Sequence, residues 1–349
     1  MKIIVMKFGG TSLAEPEKIK VMAERAVKTR NRGFAVVMAV SAPADLTDDL
    51  ITLAGLITSK PQPREYDALL STGEALSAAL MAMAINERGT AAVSLSGAQA
   101  GIKTDSAHTG AAVISVSPER IMRELKKGRI AVAAGFQGMD KAGDITTLGR
   151  GGSDFTAVAL ARSLKAEVCE LYTDVKGIYT ANPTVVPQAK KIKKISYDAV
   201  MELARAGAEV RQLRAIAYAK KHNIALHLRS SFENEEGTLV GNFKPSGKKP
   251  RVVCFSIRKA GDTAEIRLIG AGLKDTGVKN VIRQTALTNG HLLIREAYTP
   301  SRITLATSFR SGERLLKNLH EVFIDTTEWT ALSKVCSCAM DTVPVKAIE

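Results

Sequence analysis

A short apolar run at residues 2–7 stops at Gly9-Gly10 and is followed by a helical pattern and a second apolar run at 34–40. Apolar runs of this length, closed by glycine, suit buried strands. Between them, Ile19, Met22, Ala23, Ala26 and Val27 fall on one helical face. Strand, glycine turn, helix and strand form a βαβ unit. Further strands are expected near 90–95, 130–136, 167–172 and 224–229. Helices are expected near 46–58, 66–87, 117–127, 154–165, 196–206 and 209–222. Alternation of this kind predicts an α/β fold with a mainly parallel sheet between helix layers.

The pattern changes after Phe243-Lys-Pro-Ser-Gly-Lys-Lys-Pro250, whose prolines, glycine and lysines suit a linker. Ala264, Ile266 and Leu268 alternate as in a strand, and Val278, Val281, Ile282 and Ala286 mark a helix. Two β-rich runs follow near 291–298 and 302–309, then a helix carrying Leu315, Leu316, Leu319 and Val322. The sum is β-α-β-β-α, nearly a ferredoxin-like unit, with a last strand expected after Thr326. The expected division is a domain at 1–242, a linker at 243–250 and a smaller α+β domain at 251–349.

With 349 residues, 45% hydrophobic and 24% charged, the composition is that of an ordinary globular protein. No apolar stretch is expected to span a bilayer, and the N-terminus lacks the apolar core of a secretory signal, so a cytoplasmic protein without membrane partners is expected. The net charge of +14 raises the question of nucleic acid. The basic residues are scattered, however, and only 5% of residues are aromatic, poor material for base stacking. A basic surface that attracts anionic substrates is the better reading. Cys169, Cys254, Cys336 and Cys338 lack paired C-x-x-C spacing, and His108 has no second histidine at ligand spacing, so no metal site is expected.

Three constellations carry candidate chemistry. Lys7-Phe8-Gly9-Gly10-Thr11-Ser12 follows the first strand. Adjacent glycines let backbone N–H groups approach phosphate oxygens, a following helix N-terminus adds positive partial charge, and Lys7 could neutralise a transferring phosphoryl group. A tight turn beside a solvated lysine is the plainer alternative. Gly149-Arg150-Gly151-Gly152-Ser153-Asp154 opens an apolar helix, and the Arg150 fork suits a carboxylate. Ser153 or Asp154 could instead be a helix cap. In Ser71-Thr72-Gly73-Glu74 a carboxylate could hold an ammonium, or simply cap or sit at the surface.

Taken together, KFGGTS, SLSGAQAGIKTD, GFQG, TTLGRGGSD, ELYTDVKGIYTANP and LHLRSSF, in unbroken order over about residues 2–240, resemble the aspartate kinases of the amino-acid kinase family. The resemblance implies MgATP and L-aspartate as substrates, with Mg2+ held largely by the phosphates. It implies that Lys7, Gly9 and Gly10 hold the transferring phosphoryl group and that Asp154 orients Lys7 or the reacting groups. Ser41, Thr47, Glu74, Arg150 and Ser153 would bind aspartate, with Glu74 near its ammonium and Arg150 on a carboxylate. Thr173, Asp174 and Tyr179 would border the nucleotide. The stretch 264–323 resembles one ACT module, where the family usually carries two, and implies a homodimer.

Two positions depart from the family. Where it commonly has Asp-Pro-Arg, this chain has Asn182-Pro183-Thr184, and where it has a lysine after Gly-Ala or Gly-Ser, this chain has Glu209. Arg211 or Arg214 could compensate. A kinase of another acidic amino acid and a non-catalytic regulatory subunit remain as alternatives.

Overall fold

A computed structural model describes residues 1–205, 213–243 and 250–325. The described residues fall into two compact units. One is drawn from Met1–Gly177 and Arg211–Asn242, the other from Ile178–Val210 and Phe243–Glu349. Residues 178–205 thus group with the second unit, although a simple cut at 243–250 would leave them in the first.

The chain builds the first unit in the order β1 (Ile3–Phe8), α1 (Pro16–Asn31), β2 (Ala35–Val40), α2 (Leu46–Ile57), α3 (Pro63–Asn86), β3 (Ala92–Leu95), β4 (Ile102–Thr104) and β5 (Val113–Val116). It continues with α4 (Glu119–Lys126), β6 (Ile130–Ala134), β7 (Gln137–Met139), β8 (Ile145–Thr147), α5 (Gly152–Ser163) and β9 (Val168–Thr173). After β10 (Lys194–Ser196) and α6 (Tyr197–Arg205), which belong to the second unit, it returns for α7 (Leu213–His222), β11 (Leu226–Ser230) and β12 (Thr238–Gly241).

The main strands of this unit stand in the order β12-β11-β9-β1-β2-β6-β3. All neighbours are parallel except β11 and β12. Side chains alternate between the two faces of a strand. One face therefore carries Ile4, Met6, Phe8, Val36, Met38 and Val40, packed in one apolar core with Met22 of α1 and Met81 of α3. The opposite face carries Val5, Lys7, Val37 and Ala39 and packs against α5. Lys7 is thereby the last residue of β1 on the α5 face, which decides what it can reach. A smaller sheet, β5-β4-β7-β8, completes the unit.

Helix α3 corrects one expectation. Its 24 residues start with proline at the first helical position, where the missing N–H costs nothing. By length and a mean hydropathy of 1.6 it is apolar enough to cross a membrane. Half of that stretch is buried, and its inner face carries Asp67 and Glu74 in hydrogen bonds, as suits a core helix.

In the second unit, β13 (Arg251–Ala260), β14 (Thr263–Ala271), α8 (Thr276–Thr288), β15 (Arg295–Tyr298), β16 (Arg302–Ser308) and α9 (Phe309–His320) follow the linker. The antiparallel order is β13-β14-β16-β15. Ile266, Leu268, Val281, Ile282, Ile303, Leu305, Leu315 and Leu319 form its core. From β14 to α9 the β-α-β-β-α order is as expected. β13 was not expected. A bulge between Val252 and Cys254 breaks its alternation, so Val252 and Phe255, three apart, both enter the core. β13 takes the sheet edge beside β14, and the last strand expected after Thr326 lies outside the described residues. Across the other face of the sheet runs α6, tied by Arg302 to Glu202 at 2.9 Å and by Arg267 donating to the Arg205 carbonyl at 3.0 Å.

Candidate active site

In the first unit the chain leaves β1 towards β2 on one side, while β9 closes on the other, so the strand order reverses at β1. In parallel α/β sheets, ligands bind outside the carboxyl ends of the strands at such a point. Lys7, Gly9 and Gly10 stand there. The Lys7 ammonium lies 2.8 Å from Asp154 Oδ1, and both residues are only 6% exposed. Asp154 Oδ1 makes no aligned hydrogen bond, so the contact is an ion pair between charges. Burial reduces screening of such a pair by water and fixes the ammonium in place.

The glycines do the work expected of them locally. A Cβ on Gly10 would stand 2.9 Å from the Ala42 carbonyl oxygen, so only glycine lets this turn meet the end of β2. The loop differs in one respect. Gly10–Ser12 make a single 3-10 turn and α1 starts only at Pro16, so no α-helix N-terminus directly follows the glycines. The helix that does point its N-terminus at this region is α5. Its N-cap is Gly151 at φ 76°, in the left-handed region, so neither Ser153 nor Asp154 is the cap. Ser153 is buried where a Cβ on Gly135 would come within 2.8 Å of it and of the Val40 carbonyl. The ends of β2 and β6 and the start of α5 are thus drawn together.

Glu74 is neither cap nor surface residue. It lies in the middle of α3, 4% exposed. Its Oε1 accepts the Ala42 N–H at 3.0 Å, while Oε2 is buried with no hydrogen bond. Helix α3 comes this close because residue 73 is glycine: a Cβ there would meet the Ala42 side chain at 2.8 Å. Burial pushes the Glu74 carboxyl up to about 7, against the Ala42 hydrogen bond and the Lys7 charge, which pull it down. A half-satisfied buried carboxylate is costly unless a cation meets it.

Ser41 is half-buried and its N–H bonds to the Phe8 carbonyl at 3.1 Å, extending the β1–β2 ladder. Thr47 is half-buried in the first turn of α2. Arg150 is exposed and has no ion pair or hydrogen bond among the described residues. Thr173 ends β9, with the Val175 N–H bonding to its hydroxyl at 3.3 Å, and Asp174 is exposed beside it. Tyr179 lies in the second unit, where it bridges to Lys191, whose ammonium is 5.8 Å from the ring centre.

Of the departures from the family, Glu209 and Arg211 lie outside the described residues. Thr184 is exposed in a turn held by its N–H to Asn182 Oδ1 at 3.0 Å. Arg214 does not stand free: it donates to the Leu148 carbonyl at 2.8 Å and covers Phe155, so it braces the Arg150 loop.

Two groups escaped sequence reasoning. Glu170 accepts from Tyr172 at 2.8 Å and from Arg229 at 2.9 Å. Burial pushes its carboxyl up, but His227, Arg229 and Tyr172 outweigh that and hold it down at about 2. Tyr172 stacks on Phe8, ring centres 4.7 Å apart, immediately before the glycines. Behind them Ser12 and Ser231 share a buried 2.5 Å hydrogen bond, joining the glycine loop to the end of β11. The second group is Asp67 with His108, Thr109 and Thr147. The motif LHLRSSF flagged the β11 residues, and the one sequence signal for Asp67 is its spacing of seven from Glu74, which puts both on one helix face.

His108, Asp140 and Asp144 place possible ligand atoms within 4.8 Å of one another. Asp144 is taken by Arg64 and Asp140 by Ser106 and two backbone N–H groups, which reads as loop bracing.

Comparison with known proteins bears on this geometry. A sequence profile of the amino acid kinase family matches residues 2–230. An aspartokinase of Geobacillus stearothermophilus is 52% identical over 240 residues, 69% of this chain and 59% of that protein. An aspartokinase of Corynebacterium glutamicum is 42% identical over 287 residues, 82% of this chain and 68% of that protein. The chain thus spans about three-fifths to two-thirds of the length of these relatives. Among solved structures, E. coli aspartokinase III in complex with aspartate and ADP superposes with a TM-score of 0.74 over 92% of this chain and 99% of that one. At 21% identity, this last likeness speaks for the fold.

Proposed function

The chain belongs to the amino acid kinase family, and on that premise we propose that it is an aspartate kinase, which transfers the γ-phosphoryl group of ATP to the side-chain carboxylate of L-aspartate. The product is 4-phospho-L-aspartate, the first step towards lysine, threonine and methionine. The observation that carries the reading is Glu74: a buried carboxylate with one oxygen unpaired, in reach of the Lys7 charge, suited to a substrate ammonium. E. coli aspartokinase III, which shares this fold, was solved with aspartate and ADP, the acceptor and the product nucleotide of the proposed reaction.

The chemistry needs no strong base, because a carboxylate is ionised at neutral pH. One of its oxygens attacks the γ-phosphorus in line, the bond to the β,γ-bridging oxygen breaks, and ADP leaves. Two anions must meet, so catalysis rests on positioning and charge neutralisation. Lys7, held by Asp154, supplies a fixed positive charge beside the glycines. Backbone N–H groups of the Gly9–Gly10 turn and the N-terminus of α5 add partial charges of the same sign. Arg150, exposed and without a partner among the described residues, would take the substrate carboxylate, and Ser41, Thr47 and Ser153 would contribute to holding the amino acid. Thr173 and Asp174 would border the nucleotide. A divalent ion bound with the nucleotide would supply further neutralisation of the phosphates. Asp154, the buried carboxylate beside Lys7, is already paired, so a Mg2+ ion would be held chiefly by the phosphates and water.

Residues 1–242 would form the catalytic domain, 243–250 the linker and 251–349 an ACT-like domain serving assembly. The exposed apolar stripe Leu76, Leu80 and Met83 on α3, in a chain of net charge +14, supports a homodimer. The cytoplasm suits substrates of this kind. ADP release measured with a panel of carboxylic acids tests the reading: aspartate is expected to be preferred over glutamate and succinate. Preference for another acid would keep the fold and replace the substrate. The intact Lys7–Asp154 pair weighs against a non-catalytic subunit.

A further inference from the structure

Asp67 is a fully buried carboxylate with no lysine or arginine paired to it among the described residues. Its two oxygens instead collect donors from two loops. The Thr147 hydroxyl donates at 2.6 Å and the Thr147 N–H at 3.0 Å. The Thr109 N–H donates to both oxygens, at 3.1 and 3.0 Å, and His108 Nδ1 lies 2.9 Å away. Thr147 ends β8, three residues before Arg150. Thr109 belongs to a turn on which Gly149 rests, since a Cβ there would be 3.4 Å from the Thr109 carbonyl. Asp67 also lies seven residues before Glu74, two turns away on one face of α3.

Resting on the substrate reading above, we propose that Asp67 is a positioning residue: it locks the loop that carries Arg150 to the helix that carries Glu74, and so sets the separation at which the amino acid's carboxylate and ammonium are recognised together. Gly149 and Gly151, at φ 70° and 76°, give the loop backbone freedom that something must remove. Arg214 fixes it at the Leu148 carbonyl, and Asp67 fixes it one residue earlier. The two carboxylate oxygens accept from all these donors at once. An asparagine would turn an NH2 towards at least one N–H group, leaving donors facing donors.

The test is steady-state kinetics of Asp67→Asn with whichever acid the wild-type enzyme phosphorylates. KM for that acid should rise about tenfold or more, while KM for ATP stays within about twofold and kcat falls less than KM rises. In an Arg150→Ala background, Asp67→Asn should add less than about twofold, because the arginine through which it acts is gone. If Asp67→Asn does not fold, Thr147→Val removes a single donor and should raise the same KM in the same direction. Unchanged KM for the acid, equal rises for acid and ATP, or full additivity with Arg150→Ala would overturn the proposal. Failure of the substrate reading is separate: it appears as wild-type enzyme that ignores aspartate, or as Arg150→Ala without effect on KM.

Discussion

Replacing Glu74 by glutamine tests the electrostatics of the site through a pH dependence whose sign is fixed. The carboxyl is pushed up from the ordinary 4.5 to about 7, chiefly by burial. The folded state therefore holds this proton more tightly than the unfolded chain. Below 4.5 both states are protonated and the residue costs nothing. From 4.5 to 7 the unfolded chain ionises first, so stability falls as pH rises, and above 7 the cost is complete. A shift of this size corresponds to about 3 kcal/mol at full extent. Glutamine cannot ionise and keeps an acceptor for the Ala42 N–H. The stability of Glu74→Gln relative to wild type should thus rise by about 2–3 kcal/mol between pH 5 and pH 8, whatever its offset at pH 5. Urea unfolding of both proteins at the two pH values measures this. The same ionisation governs recognition, because only the carboxylate attracts an ammonium. For wild type, kcat/KM for aspartate should climb through an acid limb near 7, and the limb should vanish in the variant. A relative stability independent of pH, together with an unchanged acid limb in Glu74→Gln, would refute the argument.

Lys7→Ala should lower kcat about a hundredfold or more, the scale of losing one positioned charge, and a near-normal kcat would deny its role in transfer. Arg150→Ala should raise KM for aspartate strongly and leave ATP binding, followed by titration, nearly unchanged.

Periodicity carried most of the fold. The run at 2–7, the stripe through Ile19, Met22 and Ala26, and the run at 34–40 became β1, α1 and β2 within a residue or two at most ends. Strong alternation at Ala264, Ile266 and Leu268 located β14 equally well. β13 was lost because its bulge places Val252 and Phe255 on one face, a spacing that no period of two displays. The site was legible where a residue type is unusual for its surroundings. Lys7 at a buried strand end, paired glycines and Arg150 between glycines all stand out in the chain. Glu74 was legible as a carboxylate, but its half-satisfied burial depends on Gly73 and Ala42, which only the fold brings together. Asp67 and Glu170 looked like ordinary charges, since the partners of Asp67 lie 41 to 80 residues away and the Arg229 that pairs with Glu170 lies 59 away.

The most direct test of the central claim is to trap the product. An acyl phosphate reacts with hydroxylamine to give a hydroxamate, whereas hydrolysis of ATP alone gives none. With ATP, Mg2+, aspartate and hydroxylamine, the protein should form aspartyl hydroxamate in step with ADP, and Lys7→Ala should slow both together by about a hundredfold or more. ADP without hydroxamate, or hydroxamate from some other acid and none from aspartate, would contradict the account.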